Sequence, residues 1–71
     1  MSAFTNRQLY LEARREYKLR IRVYGRWLVM GRMTRENHDA GIEMMRQIME
    51  HFRKLAEAED SLPGLFSEVG D

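Results

Sequence analysis

Ile42, Met44, Met45, Ile48, Met49, Phe52, Leu55 and Ala56 recur at helical spacing and form an apolar stripe about 160° wide. Glu43, Arg46, Gln47, Glu50, Arg53, Lys54 and Glu57 fill the opposite side, with Glu50 preceding Lys54 in the favourable i,i+4 order. The spacing predicts a helix from about 39 to 60, with Asn37 or Asp39 as its cap and Leu62-Pro63-Gly64 beyond its end. A stripe this wide covers one neighbouring element and still has apolar surface to spare. Ile42, Met45, Met49 and Phe52 are expected to pack inward, and Met44, Ile48 and Leu55 to meet a second copy of the chain.

The surplus matters because the chain is short. Its 71 residues allow one domain at most, near the lower limit for a self-sufficient core. With no cysteine there is neither a disulfide framework nor a Cys-based zinc site. Stability has to come from dense packing or from a partner, and a homodimer is the expected solution. The expected division is one compact domain over 1–62 and a C-terminal tail over 63–71 that folds back on the core or frays; docking of the tail on a partner is the less favoured reading. The longest apolar run, Trp27-Leu28-Val29-Met30, is too short for a membrane span or a signal-peptide core. Ser2 also breaks the myristoylation pattern. The chain reads as cytoplasmic, with no membrane partner.

Near its start the chain carries a complete helix signal. Thr5 and Gln8 have the spacing of a capping box, and Phe4 and Leu9 that of a hydrophobic staple. Leu9, Tyr10, Ala13 and Tyr17 then share one face, which predicts a helix over about 6–16.

From Tyr17 to Met33 the pattern changes. Tyr17, Leu19, Ile21 and Val23 alternate with Lys18, Arg20, Arg22 and Tyr24, as on a strand with one face covered. Continued as a helix, the stretch would place Arg20 within the apolar arc and Gly25 and Gly31 in a helix interior, each glycine at a cost of about 1 kcal/mol. Gly25-Arg26 suits a type II′ turn, which would pair Tyr24 with Trp27, Val23 with Leu28 and Ile21 with Met30. The expectation is therefore an α+β fold, a small helix–β-hairpin–helix domain with Ile21, Val23, Leu28 and Met30 buried beneath the second helix. The alternative is an all-α helical hairpin that associates into a bundle.

Net charge of +1 conceals a division between the two halves. Residues 1–35 hold nine Lys/Arg against two Glu, and residues 36–71 hold three against nine Asp/Glu. The two halves are expected to neutralise each other, within the monomer or across a dimer; an anionic partner for the basic half is the alternative. Lys18, Arg20, Arg22, Tyr24, Arg26 and Trp27 make up the candidate partner-binding face. Arginine with Trp and Tyr favours a protein interface, and the same chemistry also suits phosphates and stacked bases.

No catalytic constellation accompanies this face. His38 and His51 have no converging ligands at metal-binding spacing. Five residues separate Gly25 from Gly31, and Arg32-Met33 follows, so the phosphate-loop pattern fails. Neither an enzyme nor a cofactor or metal site is expected. The sequence points to a small regulator, adaptor or inhibitor that binds another protein as a homodimer, with nucleic-acid binding through the basic-aromatic face as the alternative.

Overall fold

A computed structural model describes residues 3–60, and the expectations for the 63–71 tail lie outside them. Two helices make up the fold, α1 over Asn6–Val29 and α2 over Arg35–Asp60, and the described residues contain no strand. The chain is a helical hairpin. The α+β expectation is wrong, and the helical hairpin of the all-α alternative describes the fold of the described residues.

The start of α1 is as its sequence suggests. The Thr5 hydroxyl accepts from the Gln8 amide at 3.0 Å, and the Thr5 amide donates to Gln8 Oε1 at 2.8 Å. The helix does not stop at residue 16, however. Beneath the strand-like alternation runs a second rhythm, Asn6, Tyr10, Ala13, Tyr17, Arg20 and Tyr24, whose gaps alternate between four and three residues. That is the spacing of a seam between two helices.

Arg20 decides which rhythm prevails. It occupies the seam, where its Nη1 donates to the Gly41 carbonyl at 2.8 Å and its Nε to Glu16 at 3.2 Å. Its guanidinium also lies 5.7 Å from the centre of the Tyr24 ring. A charge with this many partners can occupy a helix–helix seam, so it does not break the apolar arc.

Neither Gly25 nor Gly31 obstructs the helix. Gly25 lies within α1 with open space around its α-carbon, so it exacts only its intrinsic penalty. Gly31 lies beyond the helix at φ +73°. Its amide donates to the Leu28 carbonyl at 3.1 Å and that of Arg32 to the Trp27 carbonyl at 2.8 Å, the paired bonds of a Schellman ending. No turn forms at Gly25-Arg26, and the expected cross-strand pairs are absent. Tyr24 and Trp27 do meet, but as neighbours one turn apart on α1, stacked with ring centres at 5.8 Å.

α2 begins earlier than its apolar stripe suggested, because the cap is neither Asn37 nor Asp39. The Thr34 hydroxyl accepts from the Asn37 amide at 3.1 Å, and the Thr34 carbonyl from the His38 amide at 2.9 Å. Gly41 lies inside the helix, where the Tyr24 ring of α1 packs against it. A β-carbon at this position would lie 2.7 Å from Tyr24 Cε2. At the other end of the seam, Asn6 donates to Glu59 at 2.6 Å and Arg7 pairs with Asp60. These contacts set the antiparallel register from end to end.

The seam is thin. Among the described residues only Ala13, Met45 and Ala56 are buried, and no large side chain is fully enclosed. Of the residues expected beneath the second helix, Ile21 and Met30 are exposed and Val23 and Leu28 are half-buried. They were assigned to one face by a two-residue period, and a helix distributes them around its circumference.

The glycines supply a direct check by thermal unfolding. Gly25→Ala should stabilise the protein by about 1 kcal/mol, whereas a β-hairpin turn at this position would make the same change destabilising. Gly31→Ala should cost about 1–2 kcal/mol through its left-handed backbone. Gly41→Ala should also destabilise, because Tyr24 is held between Trp27 and Arg20 and has little room to retreat.

Candidate interaction surfaces

Two antiparallel helices turn in opposite senses when viewed from one end, so residues that precede the seam in rotation on each helix emerge on the same broad face. On α1 these are Leu9, Val23 and Trp27, and on α2 they are Met44, Ile48 and Leu55. Met44 is 59 % exposed, Ile48 45 %, and Leu55 and Trp27 38 % each. Met44, Ile48 and Phe52 line a shallow groove with Gln47 and His51, while Phe4 and Leu9 border another with Gln8 and Glu12. The Glu16–Arg20 ion pair crosses the middle of this face. The three residues assigned to self-association therefore lie together and uncovered by α1.

The opposite face is charged. Glu43 pairs with Arg46, Arg53 bridges Glu50 and Glu57, and Arg7 reaches Asp60. Hydrogen bonds from Arg46 and then Gln47 hold the Glu43 carboxyl down at about 2, against an ordinary 4.5. The same causes, led by its bonds to Glu50 and Glu57, hold the Arg53 guanidinium above its ordinary value. These pairs are open to water and add little to stability.

The helical fold splits the basic-aromatic face. Arg20 and Tyr24 turn into the seam, and Trp27 stacks against Tyr24 at its edge. Lys18, Arg22 and Arg26 remain outside, where α1 brings them into line with Arg14, a residue the strand reading passed over. The signal for Arg14 was the four-residue spacing of Arg14, Lys18, Arg22 and Arg26, which becomes a ridge only on a helix. None of the four has an ion-pair partner among the described residues. Direct charge pairing between the two helices is sparse: one ion pair, Arg7–Asp60, joins them among the described residues.

The remaining polar groups have local roles. His38 Nδ1 lies 2.7 Å from Asp39, and the His51 ring meets the edge of Phe52 with centres 5.1 Å apart. The described residues hold no cluster of His, Cys, Asp or Glu able to bind a metal ion. No helix among them is long and apolar enough to cross a membrane. Comparison of the chain with protein-family models, with curated proteins and with solved structures finds no match.

The Glu43 bonds have a measurable consequence. In a carboxyl titration by NMR, Glu43 should stay ionised until the pH falls towards about 2. The folded value lies below the unfolded one, so its small stabilising effect is complete above about 4.5 and is lost as pH falls through the folded value. Arg46→Ala should return the midpoint most of the way to the ordinary carboxylate range.

Proposed function

We propose that this chain is a small cytoplasmic, non-enzymatic regulator, adaptor or inhibitor that works by protein–protein binding, as a homodimer of helical hairpins. The observation that carries this reading is the pairing of a meagre core with an uncovered apolar face. The hairpin encloses two alanines and one methionine among its described residues, while Met44, Ile48 and Leu55 stay open to water on one side. Helical domains reach stability by packing each apolar stripe against another layer. A second copy laid on this face would turn a two-helix layer into a four-helix bundle and bury both sets of surplus residues. Methionine at such a contact adapts to irregular surroundings, which favours association without demanding close shape complementarity.

The dimer would leave the charged face and the outer side of α1 free for a further partner. An adaptor or inhibitor of this size could then act by occupying a surface on its target, with no chemistry of its own.

Light scattering at tens of micromolar should return twice the 8.5 kDa mass of the chain. Ile48→Glu combined with Leu55→Glu should shift the protein to monomer and lower its helicity, because two buried carboxylates would face their copies across the interface. A strictly monomeric, fully helical native protein at that concentration would remove the basis for the homodimer.

A further inference from the structure

The two helices treat their charges differently. On α2, Arg46 and Arg53 each sit three or four residues from a glutamate that neutralises them. On α1, the row Arg14, Lys18, Arg22 and Arg26 has no such partner among the described residues. Like charges four residues apart destabilise a helix by a few tenths of a kcal/mol per pair, and this row contains three such pairs in succession. It opposes the local stability of α1.

From this row we infer an interaction surface: the outer side of α1 docks on the phosphate backbone of duplex nucleic acid. Successive members of the row stand about 6 Å apart along the helix axis, so the row extends about 18 Å. Each step of four residues also turns by about 40°, and the four side chains sweep an arc of about 120° on the side away from α2. A helix about 10–12 Å across fits a major groove about 12 Å wide. An arc of this width brings cations towards the backbones on both sides of the groove.

The fold selects among anionic partners. Single strands are held by aromatic side chains on which bases stack, but Tyr24 is packed beside Gly41, and Trp27, stacked on Tyr24, is exposed on the face assigned to a second copy and not beside the row. A protein interface centres on apolar anchors with few charges at its core. The row instead offers cations, and Arg15, Lys18, Leu19 and Arg22 line its central hollow. The row also points away from the face assigned to a second copy, so this inference does not depend on the homodimer.

The test is fluorescence anisotropy of the full chain with a labelled mixed-sequence DNA duplex over a series of salt concentrations. Four phosphate contacts give a slope of log K against log salt of about −3.6, a loss of about a hundredfold between 50 and 200 mM. Replacing Arg14, Lys18, Arg22 and Arg26 by Gln should weaken binding at least tenfold at low salt, with the helical circular dichroism retained. Arg46→Gln with Arg53→Gln, which removes charge from α2 alone, should leave binding close to native. If the fourfold variant does not fold, Arg22→Gln by itself should reduce the slope by about one. The inference is overturned by no binding at low salt, by a slope shallower than −1, or by unchanged binding in the folded ridge variants. Tighter binding of single strands would also overturn it, as would displacement of the duplex by an equal concentration of polyglutamate residues.

Discussion

Two helices packed along one seam can each bury a single stripe, and everything else about this molecule follows from that limit. The seam runs the length of the hairpin, closed by Asn6–Glu59 at one end and by the approach of Tyr24 to Gly41 at the other. Its residues recur every three or four positions, which keeps one edge of each helix turned to its neighbour. A domain of this size is already close to the minimum for independent stability, and three buried residues among those described are a small core even so. The apolar side chains beyond the seam therefore bear on stability as well as on binding. A second layer over Met44, Ile48 and Leu55 would serve both.

Within the seam, polar contacts do what side-chain volume cannot. Arg20 ties a carbonyl of α2 to a glutamate of its own helix and lies against the Tyr24 ring. The missing β-carbon at Gly41 allows that ring to come close. Three residues from two helices thus define one register point near the turn, while Thr5 and Thr34 start the helices and Gly31 ends the first. Sliding one helix past the other would separate Arg20 from its acceptor and bring a side chain against the ring, so register is specified by a few polar and steric contacts on an otherwise permissive apolar seam.

Much of the second helix was legible in its sequence, because a stripe eight residues strong has one period and that period is helical. Its start was misplaced since several polar residues compete as caps, and only the backbone shows that Thr34 takes the role. The middle of the chain misled for a physical reason. Between Tyr17 and Tyr24 the residues satisfy a two-residue period and a three-four period at once, and Arg20 looked foreign to the helical one. Whether an arginine is tolerated in a seam depends on acceptors brought by the other helix, which lie 21 residues away at Gly41. Local pattern contains no trace of that partner. The candidate surfaces inherited the same error: Met44, Ile48 and Leu55 were grouped by a period that was right, whereas Arg20, Tyr24 and Trp27 were grouped with Lys18, Arg22 and Arg26 by one that was not.

The dependence of a thin hairpin on a second copy is most directly tested by melting the protein at concentrations spread over about two orders of magnitude. Partner binding stabilises the folded state by mass action, so the midpoint should rise steadily with concentration, and helix and mass should be lost together on dilution. A midpoint independent of concentration, in a chain that stays monomeric and helical throughout, would show that the single seam suffices and would contradict the need for a second layer.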